Sequence, residues 1–108
     1  MADRYNQSDD ILAYLRDYHT GAENFAPSAA IEHIFGIKGA SVRQIVNTLR
    51  CNGQPVCSDA NGYYYAKNGN EINNTISQLL GRTRKINEAA RGLVLSHQVF
   101  YDGTEGQL

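Results

Sequence analysis

Apolar residues at Ile11, Leu12 and Leu15 recur at helical spacing just after Ser8, Asp9 and Asp10. A serine cap with acids in the first turn favours a helix start. The spacing therefore predicts a first helix from Ser8 to about Tyr18, broken by Thr20-Gly21. A loop follows to Pro27, with Phe25 turned inward. Ser28 is read as the cap of a second, short helix with Ile31, Ile34 and Phe35 inward and Gly36 as its stop. After the tight turn Ile37-Lys38-Gly39-Ala40, a third helix is expected from about Ser41 to Cys51, closed by Asn52-Gly53.

Beyond Gly53 the period changes. Residues 54–58 read as a short strand, Asp59-Ala60-Asn61-Gly62 carries turn chemistry, and residues 63–66 read as the returning strand with the aromatic bias that strands favour. Alternation puts Tyr63 and Tyr65 on one face, assigned to the core, and Tyr64 on the other. Lys67-Asn68-Gly69 is a second break. From about Asn70 to Arg91, residues Ile72, Ile76, Leu79, Thr83, Ile86, Ala90 and Leu93 are spaced alternately by four and three. That is close to a 3.5-residue repeat, and predicts a helix about 33 Å long ended by Gly92. The expected fold class is mainly α with a small β-hairpin. Residues 1–69 form the domain, 70–93 a long C-terminal helix, and 94–108 a flexible tail.

Composition narrows the class. At 108 residues with 42% hydrophobic and 19% charged side chains, the chain suits one globular domain and not a disordered segment. It has no apolar run near the roughly 20 residues that span a bilayer. Its polar, acidic start is unlike a secretory signal, and two cysteines are too few for a disulfide scaffold. These features lead us to expect a cytoplasmic protein. The net charge of −1 hides a pattern: residues 1–37 carry a net −4, residues 38–91 a net +5, and residues 92–108 a net −2. A central basic block suits a polyanion partner, although the pI of about 6.3 is below the basic value of strong DNA binders.

The order of elements is more specific than any single residue. Two helices joined by a tight Gly-containing turn form a helix-turn-helix unit, whose second member enters the major groove. A hairpin directly after it is a wing. The third helix divides into an apolar stripe, Val42, Ile45, Val46 and Leu49, and a polar face with Arg43, Asn47 and Arg50, flanked by Gln44 and Thr48. Arg pairs with guanine O6/N7, and Asn or Gln with adenine N6/N7. Lys38 and Ser41 stand where a helix N-terminus favours phosphate. Asn61 at the wing tip, Lys67 behind it and Tyr64 on the wing's outer face complete the candidate DNA-binding set. The alternatives are a solvated helix face and a hairpin that only covers the core.

The run Leu49-Arg50-Cys51-Asn52-Gly53-Gln54-Pro55-Val56-Cys57-Ser58, followed by Gly62-Tyr63, resembles an LR-x-x-G-x-P-I-x-S … G-Y run. That run joins recognition helix to wing in winged helix-turn-helix regulators of the DeoR-like and biotin-repressor-like groups. It is also similar to small winged-helix proteins of phages and prophages. The resemblance covers roughly residues 28–66. It implies a winged helix-turn-helix fold, with Arg43, Gln44 and Asn47 at base edges and Asn61 at the wing. Where the larger regulators carry a ligand-sensing or catalytic domain after the wing, this sequence continues into the periodic helix, which the resemblance leaves unexplained.

The stripe of that helix predicts a homodimer through Ile72, Ile76, Leu79 and Ile86, which would place two recognition helices about one DNA turn apart. Docking on the first helix of the same chain is the alternative. Arg82, Arg84 and Lys85 form a basic cluster suited to phosphates or to a solvated surface. His19, His33 and His97 have no metal-ligand spacing, and Cys51 and Cys57 read as small buried residues, not as a zinc pair. No cofactor, metal or enzymatic activity is expected. The sequence is thus read as a sequence-specific double-stranded DNA binder, a small phage-type transcriptional regulator using helix 41–51 and wing 55–66. The acidic N-terminus and modest basicity keep a second reading open: a protein-interaction module without DNA binding, serving replication, a phage-host complex or inhibition.

Overall fold

The structure, a computed structural model, describes residues 2–97 and Val99, with side chains from Gln7 onward. In chain order come α1 (Ala2–Tyr18), a 3-10 turn (Ala22–Asn24), α2 (Ser28–Phe35), α3 (Gly39–Cys51), β1 (Val56–Ser58), β2 (Tyr63–Tyr65) and α4 (Gly69–Ser96). The described residues are mainly helical, with one two-stranded antiparallel hairpin and a long C-terminal helix. They divide into two units, Met1–Thr75 and Ile76–Leu108.

In the first unit, Ile11 and Leu15, one helical turn apart, point the inner stripe of α1 at the core. They meet Ile31 of α2, Val42, Val46 and Leu49 of α3, Val56 of β1 and Ala26. Tyr14 packs edge-on against Phe35, ring centroids 5.6 Å apart. α1 begins six residues before the expected Ser8 cap. The added turn is used: Gln7 Nε2 donates to the Phe35 carbonyl at 3.1 Å, satisfying an end carbonyl of α2 that has no partner within its own helix.

Pro27, not Ser28, is the N-cap of α2. Ser28 is the first helical residue, and its hydroxyl donates to Glu32 Oε2 at 2.8 Å. Ile31 is fully buried, but Ile34 is 54% exposed and is not the core residue expected from its spacing. Buried Ala26 takes the place foreseen for Phe25, which is half-buried. α2 ends at Gly36 in the left-handed region (φ 65°), where its N–H returns to the Glu32 carbonyl. Three residues, Gly36, Ile37 and Lys38, thus separate it from α3, which starts two residues before the expected Ser41.

α3 closes with a paired-carbonyl turn. Gly53 N–H donates to Arg50 O at 2.9 Å and Gln54 N–H to Leu49 O at 3.0 Å, with Gly53 at φ 86°. This arrangement satisfies the last carbonyls of a helix and needs a residue that tolerates positive φ. The chain then reverses directly into β1.

The strands are shorter than expected and pair Val56 with Tyr65, Cys57 with Tyr64 and Ser58 with Tyr63. Asp59 Oδ1 accepts the N–H groups of Asn61 (2.8 Å) and Gly62 (3.3 Å), closing the turn. The free edge of β2 is also covered. Gly21 N–H donates to Tyr65 O, Tyr65 N–H to His19 O, Ala26 N–H to Tyr63 O and Tyr63 N–H to Ala26 O, at 2.7–2.9 Å. The chain between α1 and α2 thus acts as a third, interrupted strand and leaves no open edge beside β2.

The first turns of α4 pack on the hairpin's second face. Thr75 Oγ1 accepts from Ser58 N–H at 3.3 Å, and Glu71 and Thr75 are buried with Cys57 and Tyr64. Asn68 Oδ1 accepts the Glu71 N–H at 3.0 Å, a cap that starts α4 one residue before the expected Asn70. In the second unit α4 continues through Gly92 to Ser96. An interior glycine weakens a helix by about 1 kcal/mol without forbidding it. Within the expected tail, residues 94–96 are therefore helical, while residue 98 and residues 100–108 lie outside the described residues. Among the described residues no helix is long and apolar enough to cross a membrane.

Candidate nucleic-acid interface

Burial of Val42, Val46 and Leu49 fixes the rotation of α3 about its axis. The opposite side must then carry Arg43, Gln44 and Asn47, and all three are exposed. Among the described residues, none of these three side chains makes a hydrogen bond or ion pair. Thr48 lies beside them with its hydroxyl turned back onto the Gln44 carbonyl at 3.0 Å, so it presents a methyl group to the face. Lys38 is exposed at the N-cap, and Ser41 is half-buried in the first turn.

Three expected contact residues have other tasks. Arg50 is half-buried, and its guanidinium is turned toward the hairpin. Nε donates to the Val56 carbonyl at 2.7 Å and Nη2 to Ser58 Oγ at 2.9 Å. The paired-carbonyl turn brings β1 back along the last turn of α3, within reach of this side chain. Arg50 therefore ties helix to hairpin and is not part of the exposed polar face.

Tyr64 is 3% exposed, which corrects the expectation of an outward ring. The alternation itself holds, since Tyr63 and Tyr65 do pack on the main core. What differs is that the other face is covered too, by Thr75 and Glu71. Burial pushes the Tyr64 hydroxyl up in pKa, opposed by its hydrogen bond to Thr75.

Lys67 is exposed, but its Nζ contacts both Glu23 carboxylate oxygens at 3.0 Å. The hydrogen bond to Glu23 raises the Lys67 pKa. The Glu23 pKa is lowered by a backbone hydrogen bond first and by Lys67 second. Asn61 sits exposed in the hairpin turn.

Glu71, outside the expected contact set, holds two backbone donors from different segments. Its Oε2 accepts Ala22 N–H and its Oε1 accepts Lys67 N–H, both at 2.9 Å. The readable signal was Asn68-x-x-Glu71, the spacing of a capping box. Cys51 is exposed, not buried as expected, and only Cys57 is buried. Burial pushes the Cys57 thiol up, so it is held as the neutral, unreactive form. Among the described residues no group of three His, Cys, Asp or Glu side chains could hold a metal ion.

Compared with protein-family models, curated proteins and solved structures, the chain matches none.

Proposed function

We propose that this chain is a winged helix-turn-helix protein that binds double-stranded DNA sequence-specifically, with α3 in the major groove and the β1–β2 hairpin as the wing. The observation that carries the reading is the exposed trio Arg43, Gln44 and Asn47 on a helix whose opposite face is locked by three buried aliphatic side chains. A guanidinium and two carboxamides without a partner among the described residues are the groups that form paired hydrogen bonds with guanine and adenine edges. Lys38 at the start of α3 serves phosphate, fixing register without reading sequence. Asn61 carries the wing contact. Arg50, Tyr64 and Lys67 support the interface indirectly, through the hairpin and the loop that it pairs with. The protein acts without cofactor or catalysis as a small cytoplasmic transcriptional regulator of the phage type.

Fluorescence-anisotropy titration with random duplex DNA at about 50 and 200 mM salt, followed by sequencing of the bound fraction, tests this. Affinity is expected to fall steeply with salt, and one motif should be enriched. Arg43→Ala and Asn47→Ala should each lose about 1–3 kcal/mol of discrimination at one base position. Full discrimination in both variants overturns the assignment of α3. Absence of binding at either salt overturns DNA binding and directs attention to the protein-partner reading.

A further inference from the structure

The 4-3 stripe of α4 is largely uncovered from Ile76 to Leu93, with Leu79 half-buried. Ile76 is 46% exposed, Ile86 67% and Leu93 71%, with Leu80 and Val94 beside them at 60% and 64%. A stripe with this spacing is the seam of a left-handed two-stranded coil. From Ile76 to Leu93 it is about 26 Å long, a continuous apolar surface of the kind that marks an interaction site.

We propose that a second copy of this chain covers the stripe, with the two α4 helices antiparallel. The order of large and small residues selects that direction. About a midpoint between Arg84 and Lys85, Ile76 falls opposite Leu93 of the second copy, Leu79 opposite Ala90, and Thr83 opposite Ile86. All six layers are filled, and each small residue meets a large one, as close packing requires. A parallel pair would set Thr83 on Thr83 and Ala90 on Ala90, leaving underfilled layers between bulky ones.

Charge placement agrees. Of the charged residues in this segment, only Arg82 flanks the seam, where it meets Ala89 of the second copy. Arg84, Lys85, Glu88 and Arg91 fall on the outer positions, so no like-charge pair is forced across the seam.

Area sets the strength. A buried aliphatic side chain removes roughly 100 Å² from water. Closing the seam over the five exposed side chains and half-buried Leu79 removes on the order of 700 Å² from the two copies together. Thr83, Ala90 and the flanking stems bring the total toward the lower limit of specific interfaces, about 1,000–1,200 Å². The dimer is therefore reversible and concentration-dependent. It stands on α4 alone and does not depend on DNA binding.

Sedimentation equilibrium of the full chain over a concentration series tests it, with far-UV circular dichroism to confirm that the variants stay folded. The expected result is a monomer–dimer equilibrium that is abolished in Ile86→Lys. Leu79→Glu and Ala90→Lys should each be monomeric alone and form a heterodimer when mixed, because each new charge faces the other across one antiparallel layer. A wild-type monomer at every concentration overturns the proposal. So does a dimer indifferent to Ile86→Lys, and a dimer whose two charged variants fail to recover on mixing overturns the antiparallel direction.

Discussion

Glu71 accepts the backbone N–H of Ala22 at 2.9 Å across 49 residues of sequence. Its other oxygen holds the N–H of Lys67 at the same distance. One carboxylate that is 8% exposed therefore joins the loop after α1 to the segment between β2 and α4. Glu71→Gln keeps one acceptor but turns an amide N–H₂ toward a backbone donor. The variant should lose about 1–3 kcal/mol of stability, read as a lower urea midpoint. Glu71→Ala, which strands both donors, should lose at least as much. An unchanged midpoint in both would mean that water replaces the carboxylate without loss.

The turn of the hairpin is tightened by a close approach. A Cβ on Gly62 would meet the carbonyl oxygen of Ala26 and lie 2.8 Å from its carbon, both backbone atoms of the pairing that covers β2. Gly62→Ala should force that pairing apart and cost about 1–3 kcal/mol. Gly81 in α4 is the opposite case, with nothing within 4 Å of an added Cβ. Gly81→Ala should stabilise the helix by about 0.5–1 kcal/mol. Thermal melts of the two variants, displaced in opposite directions from the wild type, are the expected outcome.

Arg43 and Arg50 lie on the same helix and divide the labour. Arg50→Ala removes hydrogen bonds of 2.7 and 2.9 Å to β1 and should lower stability by about 1–2 kcal/mol. Arg50→Lys should recover little, because an ammonium cannot reproduce the two-point guanidinium geometry. Arg43→Ala, on the exposed face, should leave stability within about 0.5 kcal/mol and change duplex selection instead. Paired melts and binding profiles separate the two roles. Stability loss in Arg43→Ala, or none in Arg50→Ala, would reverse the assignment.

These residues also show what the sequence allowed one to read. The α3 stripe was legible because Val42, Val46 and Leu49 repeat at the helical period and the helix buries one face. The turn chemistry of Asp59, Asn61 and Gly62 was legible because it is local. The fate of Tyr64 was not: period-two alternation separates two faces but does not say that both are covered, and the cover, Thr75 and Glu71, comes from a later helix. Arg50 looked like part of the polar face because helical spacing takes no account of β1 folding back beside it. The start of α1 was missed because a serine with acids after it is also tolerated inside a helix, and Gln7 is held by Phe35, 28 residues away.

The cysteines should differ in reactivity. Cys51 is exposed and Cys57 is buried. A thiol reagent at neutral pH should label Cys51 readily and Cys57 only as fast as the hairpin opens. Burial raises the Cys57 pKa. The unfolded chain then releases this proton at a lower pH than the folded one, so the contribution to stability is complete below the ordinary thiol value of about 8.5 and declines as pH rises above it. Urea midpoints should fall through this alkaline window, and less steeply in Cys57→Ala. Tyr64, raised in the same direction, extends the decline to higher pH.

Dimerisation through α4 has a consequence for DNA. An antiparallel pair has two-fold symmetry, so two copies of α3 present the same side chains in opposite directions and should select an inverted repeat. In the binding mode proposed above each copy would bring its own phosphate contacts, and the dependence of log affinity on log salt is proportional to their number. Ile86→Lys leaves α3, Lys38 and the hairpin untouched but removes the second copy. On the selected inverted repeat its salt slope should therefore be about half that of the wild type, while Arg43→Ala in the intact dimer should keep nearly the full slope and lose base preference. Equal slopes for Ile86→Lys and the wild type would show that the copies bind DNA without help from α4.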